Sequence, residues 1–188
     1  MGERIRVLGF GGSLRKGSYN KALLRAALEM TPPAAEMKLF EIEEIPIFNQ
    51  DMEKDPPRIV KDLKAQIRIA DAILIVTPEY NYSVPGFLKN AIDYASRPYG
   101  DNAFAGKPVA IMGASIGNQG TARAQYHLRQ SCVFLDMYPL NQPEVMVSFA
   151  QDKFDQNGRL TDPKTREKVK ELLESLVAWT RRLSKERI

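Results

Sequence analysis

Short apolar runs alternate along this chain with segments whose apolar residues recur at helical spacing, the pattern of strands interleaved with amphipathic helices. Arg4–Phe10 reads as a strand, and a turn rich in Gly and Ser separates it from a helical stretch over Lys21–Met30. Met37–Ile42 predicts a second strand, followed by a loop holding Pro46, Pro56 and Pro57. Arg58–Ala70 has helical spacing, with Ile59, Leu63, Ile67 and Ala70 on one face. Ala72–Val76 is an unbroken apolar run, as expected of a strand buried on both faces. Pro85 opens a third helix, with Ser83 as its cap candidate. Pro108–Met112 predicts the fourth strand, Thr121–Ser131 the fourth helix and Glu144–Phe149 the fifth strand. The turn signal Gln156-Asn157-Gly158 leads into a last helix carrying Val169, Leu172, Leu173, Leu176, Val177 and Leu183 at helical spacing.

Five strand–helix units in 188 residues, with no repeat and no linker, predict one α/β domain over residues 1–188. Its sheet is parallel with helices on both faces. Right-handed crossovers and short connections favour the doubly wound order 2-1-3-4-5, whose ligand crevice opens at the carboxyl ends of strands 1 and 3. The loops at those ends are Gly11–Ser18 and Thr77–Val84.

Composition adds mainly exclusions. Hydrophobic residues at 44% and charged residues at 27% argue against a disordered or fibrous chain. A lone cysteine, Cys132, excludes an internal disulfide framework, and a lone histidine, His127, argues against a His/Cys metal cage. No metal site is expected. No apolar run approaches the ~20 residues of a membrane span. The start has no apolar signal region, and Arg6 breaks the myristoylation pattern, so the expected location is cytoplasmic. The net charge of +4 could suggest a nucleic-acid partner. However, residues 1–158 carry 18 basic and 18 acidic side chains, while residues 159–188 carry 9 and 5. The excess therefore decorates the last helix, with Arg181, Arg182, Lys185 and Arg187 near its negative dipole end. A solvated helix face is the expectation, with neither nucleic acid nor membrane as partner.

The loops carry the chemistry. Gly11-Gly12-Ser13-Leu14-Arg15-Lys16-Gly17-Ser18-Tyr19-Asn20 fails the dinucleotide fingerprint, because Leu14 stands where the third glycine belongs. It fails the Walker A pattern too, because Lys16 precedes Gly17. What remains suits a terminal phosphate monoester: N–H groups at a helix start, hydroxyls from Ser13 and Ser18, and the planar fork of Arg15. The alternative is an ordinary strand-to-helix turn with a Ser or Asn cap. In Thr77-Pro78-Glu79-Tyr80-Asn81-Tyr82-Ser83-Val84-Pro85-Gly86, two tyrosines and an asparagine offer flat apolar area and amide groups for a planar heteroaromatic ring. The alternative there is a rigid, Pro-bounded surface loop. Gly113-Ala114-Ser115-Ile116-Gly117 matches the nucleophile elbow of hydrolases. Yet no Asp or Glu lies between Ser115 and His127, and His127 is expected to be partly buried and structural. Ser115 and Gly117 are therefore read as rim groups for a ligand. Cys132, beside Val133, Phe134 and Leu135, reads as a core thiol.

Taken together, these loops resemble the NAD(P)H-dependent FMN reductase family of flavodoxin-like proteins, including the bacterial chromate and quinone reductases. The resemblance runs from Val7 to about Phe149. It rests on Gly12–Asn20, on Thr77–Gly86 continuing into Leu88–Asp93, and on Ser115–Gly120. Gln125-Tyr126-His127-Leu128-Arg129-Gln130 is similar to the chromate/quinone reductase branch. The resemblance implies a flavodoxin-like fold with FMN as cofactor and NADPH or NADH as hydride donor. It puts the FMN phosphate on Ser13, Arg15, Ser18 and Asn20, with the backbone of Leu14, Arg15, Lys16, Gly17, Ser18 and Tyr19 around it. It puts the isoalloxazine ring against Pro78, Glu79, Tyr80, Asn81 and Tyr82, and Ser115 near the ring or ribityl chain. It implies hydride transfer through flavin N5 to quinones, azo compounds, free flavin or metal oxyanions such as chromate. No catalytic side chain is required, and a homo-oligomer, dimer or homotetramer, is expected. Two other readings stand beside it: a flavodoxin-type electron carrier, against which the +4 charge counts, and an acyl hydrolase using Ser115.

Overall fold

The computed structural model describes residues 3–185. The elements follow the chain as β1 (Ile5–Gly11), α1 (Tyr19–Glu29), β2 (Ala35–Leu39), α2 (Arg58–Ile69), β3 (Ala72–Val76) and α3 (Gly86–Ala95). They continue with β4 (Pro108–Ala114), α4 (Ala122–Phe134), β5 (Tyr138–Pro139), β6 (Val145–Val147) and α5 (Pro163–Lys185). All pairings in the sheet are parallel, in the order β2-β1-β3-β4-β5, with β6 also on β4.

The expected order holds, but the fifth position is filled by two pieces rather than by the single strand expected over Glu144–Phe149. β5 pairs with the start of β4 at Pro108 and Val109, and β6 with its end from Met112 to Ala114. Pro139 and Pro143 lie in this stretch. A proline has no N–H to give a ladder, so one continuous strand is broken here.

Alternation along β3 divides the core. Leu74 and Val76 join Leu23, Met112, Leu172 and Leu176 on the α1/α5 face. Ile73 and Ile75 join Leu63, Ile67, Leu88 and Leu128 on the α2/α3/α4 face. This two-sided burial is why the strand could be read as a continuous apolar run. On α2 the buried row is Val60, Leu63, Lys64 and Ile67, while Ile59 is half-buried and Ala70 serves as C-cap. α5 buries Val169, Leu172, Leu173, Leu176 and Val177, and Leu183 is half-buried. Arg181 and Arg182 are exposed, and Arg187 lies outside the described residues. The N-cap of α3 is Pro85 with no side-chain cap bond, so Ser83 is not its cap.

Cys132 is fully buried, and burial pushes its thiol up to about 11, far above physiological pH. The thiolate is the reactive form, and Cys132 sits among core side chains as a buried thiol. Among the described residues no helix is long and apolar enough to cross a membrane, and no His/Cys/Asp/Glu group could hold a metal ion.

Candidate active site

The carboxyl ends of β1, β3 and β4 lie level, because Gly11 pairs with Val76 and Val76 with Met112. Three loops leave from that edge. In the first, the Gly12 N–H donates to the Val76 carbonyl at 2.7 Å. A Cβ on Gly12 would stand 2.9 Å from Leu88 Cδ2 and 3.3 Å from Pro78 Cδ. A side chain at Gly12 would crowd Leu88 of α3 and Pro78 of the second loop.

From Ser13 to Gly17 no backbone N–H finds an acceptor among the described residues, and Leu14, Arg15, Lys16 and Gly17 are exposed. Ser13 and Ser18 are buried. Ser18 caps α1, its Oγ accepting from the N–H groups of Asn20 at 3.2 Å and Lys21 at 3.3 Å. Arg15 reaches the Gly17 carbonyl at 2.7 Å and lies 5.6 Å from the centre of the half-buried Tyr19 ring, and no carboxylate pairs with Arg15 or Lys16 among the described residues. Lys21, the third residue of α1, is neutralised by Glu43. Glu43 also bonds Glu41, whose carboxyl is thereby raised above its ordinary range. A row of open N–H groups, two cations with no carboxylate partner among the described residues, and a helix N-terminus are groups that could hold a phosphate dianion. The residues present fit the phosphate end of FMN.

Asn20 plays a different part from the other residues of this loop. Its side chain is buried, donating to the Ala114 carbonyl and accepting from the Ala114 N–H, both at 2.8 Å. It bolts the first turn of α1 to the end of β4 and so sets the spacing between loops one and three.

In the second loop, Tyr80 and Ser83 exchange backbone hydrogen bonds of 2.9 Å, closing a tight turn. Its two central residues are left-handed, Asn81 at φ 49° and Tyr82 at φ 66°. Left-handed backbone is uncommon for an aromatic residue and recurs at functional sites. Tyr80 and Tyr82 are exposed. Glu79 is turned inward, its carboxylate accepting from the N–H groups of Arg123 at 3.0 Å and Ala124 at 3.3 Å. The Arg123 guanidinium pairs with that carboxylate and stands 3.7 Å from the Tyr82 ring centre.

In the third loop, Ser115 Oγ accepts from the Gly117 N–H at 3.2 Å, while its backbone joins Val147 and Ala150. His127 is exposed rather than partly buried, and its Nδ1 lies 3.0 Å from Ser83 Oγ. The helix face carrying His127 points toward the second loop and not toward Ser115, so no Ser–His pair forms. The third loop meets the second around a cavity of about 350 Å³ lined by Glu79, Asn81, Tyr82, Ser115, Gly117 and Arg123. Asn118, Gln119 and Gly120 complete the lining.

The comparison with known proteins decides among the readings. Residues 5–152 match the family described as NADPH-dependent FMN reductase. The chain belongs to that family. It is an oxidoreductase that uses FMN and NAD(P)H, which removes the carrier and hydrolase alternatives. An NAD(P)H-dependent FMN reductase of Pseudomonas aeruginosa is 55% identical over 184 residues, covering 97% of this chain and 99% of that protein. A quinone reductase of Escherichia coli K12 is 47% identical over 169 residues, covering 88% of this chain and 89% of that one. Among solved structures, the flavoenzyme NAD(P)H:(acceptor) oxidoreductase FerB of Paracoccus denitrificans superposes with a TM-score of 0.87 at 36% identity, over 95% of this chain and 98% of FerB.

Sequence reasoning did not place Arg123, Asn118 or Gln119 at this cavity. Arg123 lies 44 residues from Glu79, and nothing local in either segment announces the pair. The open pattern of Asn118 and Gln119 was visible only as a polar stretch after a strand.

Proposed function

We propose that this chain is a one-domain FMN reductase that passes reducing equivalents from NADPH or NADH to quinones. FMN supplies the hydride chemistry, and the chain binds, orients and shields it. In this reading the open N–H groups from Ser13 to Gly17 hold the phosphate, with the hydroxyls of Ser13 and Ser18, the Arg15 fork and the Lys16 charge. Tyr19 backs the loop, and Asn20 holds it at a set distance from β4. Pro78 and the Glu79–Tyr82 turn form a wall for the flat ring system, and Ser115 and Gly117 form the opposite rim. No side chain is asked to move a proton, in keeping with an exposed His127 engaged by Ser83.

The observation that carries the reading is the run of N–H groups just before α1 that find no acceptor among the described residues, level with a turn that presents two tyrosines. The outer side of that turn is open, which suits acceptors of varied shape: azo compounds, free flavin and oxyanions such as chromate as well as quinones. A cytoplasmic place of action suits the need for reduced nicotinamide. The decisive experiment is steady-state NADPH oxidation with a small quinone by flavin-loaded protein. Ser115→Ala is expected to keep that activity largely intact. A loss beyond about a hundredfold with flavin still bound would mean a catalytic serine and overturn the assignment.

A second copy of the chain fits the α3/α4 side. Tyr99, Val133 and Phe134 are exposed there, with Ile47 exposed on the nearby loop. Tyr99 and Phe134 line a cavity of about 590 Å³ together with Phe48, Ile92 and Leu135. Exposed apolar surface of this kind marks an interface. A homo-oligomer, dimer or tetramer, is expected by light scattering, and Phe134→Asp is expected to reduce its mass.

A further inference from the structure

We propose that Glu79 is a positioning residue, one carboxylate that holds the left-handed Tyr80–Ser83 turn in shape by clamping Arg123 beneath Tyr82. The proposal rests on the reading of that turn as the wall of the flavin site and adds a specific device to it. The Glu79 side chain is 7% exposed, against 40% for Arg123. It receives two backbone N–H groups of the first turn of α4, those of Arg123 and Ala124, and the Arg123 Nε at 2.5 Å. A carboxylate at a helix N-terminus is held by the dipole as well as by the bonds. The clamp is therefore anchored in the scaffold and not in the loop.

The turn needs such an anchor. A two-residue turn with both central residues left-handed is the form favoured by Asn-Gly. Asn81 fits the first position, but a tyrosine occupies the second at φ 66°, where glycine is the residue without penalty. A backbone like that persists only when its surroundings over-determine it. Three contacts do so: the reciprocal Tyr80–Ser83 backbone bonds, the Ser83–His127 contact at 3.0 Å, and the guanidinium 3.7 Å from the Tyr82 ring centre. The ring is otherwise exposed, so the guanidinium is what fixes its plane. Glu79 is what fixes the guanidinium.

The same carboxylate also sets the charge of the cavity wall. Glu79 and Arg123 both line the cavity that Asn81, Tyr82 and Ser115 share, and as a pair they leave it neutral. Without the carboxylate charge the wall becomes positive, which favours the anionic, reduced form of a flavin beside it.

Two variants separate these roles. Glu79→Gln keeps an acceptor for the helix N–H groups and removes the charge. Arg123→Lys keeps both the charge and the backbone N–H and removes the planar fork. By amide hydrogen exchange of the apoprotein, both are expected to speed exchange at Tyr80 and Ser83 by roughly ten- to a hundredfold, the loss of one charge-assisted bond, while α5 stays protected. Adding Tyr82→Gly to Glu79→Gln is expected to restore protection at Tyr80 and Ser83, since glycine adopts the required φ without strain. In the FMN-loaded protein, Glu79→Gln is expected to raise the flavin midpoint potential and Arg123→Lys to leave it in place.

Unchanged exchange at Tyr80 and Ser83 in both variants would reduce Glu79 to a helix cap and overturn the proposal. So would a Glu79→Gln protein whose amides all exchange together, or one that double substitution fails to rescue. A wild-type apoprotein that refuses FMN would instead overturn the functional reading, and the exchange experiment would still report on the clamp.

Discussion

Arg15→Ala is expected to weaken FMN binding by about 10- to 150-fold, corresponding to the roughly 1.5–3 kcal/mol of a charged hydrogen bond. Riboflavin, which lacks the phosphate, is expected to bind wild type and variant nearly equally. The structure supports a phosphate-specific effect. Arg15 is exposed and, among the described residues, bonds the Gly17 carbonyl and lies over the Tyr19 ring, so removing it leaves the buried core intact. Arg15→Lys should recover part of the loss, because an ammonium keeps the charge and loses the fork. Calorimetric titration of the apoprotein with FMN and with riboflavin makes the comparison. Equal weakening of both ligands would show that Arg15 supports the loop or the ring, and the phosphate assignment would fall.

The larger effect on stability is expected at Gly113. A Cβ there would stand 2.1 Å from the Thr77 carbonyl oxygen and 2.1 Å from Thr121 Oγ1. The carbonyl belongs to backbone held by the Thr77 N–H to Met112 bond at 2.9 Å, so it cannot swing aside. Relief requires β3 and β4 to separate at the edge that carries the site. Gly113→Ala is expected to cost about 3 kcal/mol or more, at the upper end for overpacking. It should also weaken FMN binding, because the second loop begins at Thr77. Gly117 is the internal control: its nearest neighbour for a Cβ is Ser115 Oγ at 3.6 Å, an ordinary contact. Urea denaturation should show a large drop in midpoint for Gly113→Ala and almost none for Gly117→Ala. If both glycines tolerate alanine, the close approach of β4 to Thr77 is wrong.

That contrast explains the motif that looked most like a hydrolase. The first glycine of Gly113-Ala114-Ser115-Ile116-Gly117 is required by strand packing, and the serine hydroxyl accepts from the Gly117 N–H of its own loop. A pattern of small residues after a strand has more than one physical cause, and the sequence does not distinguish them.

Much of the architecture was legible because burial leaves a periodic trace. β3, buried on both faces, is five apolar residues in a row, and α5 repeats its apolar residues over a length no strand reaches. The order of the strands followed from the handedness of crossovers, and with it the edge where the loops gather. The first two loops declared themselves by residue type, since hydroxyls, an arginine and tyrosines at strand ends have few structural uses. β5 left no such trace. It is two residues long, one of them proline, and exists because β4 offers a partner at Pro108 and Val109.

Local composition and periodicity thus determined the class of fold and the succession of its main elements, because each depends on neighbours within a few positions, whereas ends such as those of β2, expected over Met37–Ile42 and found over Ala35–Leu39, were set by the packing. Only the tertiary structure decided how those loops are held. Asn20 reaches Ala114 across 94 residues, His127 reaches Ser83 across 44, and Glu79 meets Arg123 across the same separation. Each bond forms because the parallel sheet brings the ends of β1, β3 and β4 level. A side chain's partner across such a distance is set by three-dimensional packing, which a one-dimensional pattern does not carry.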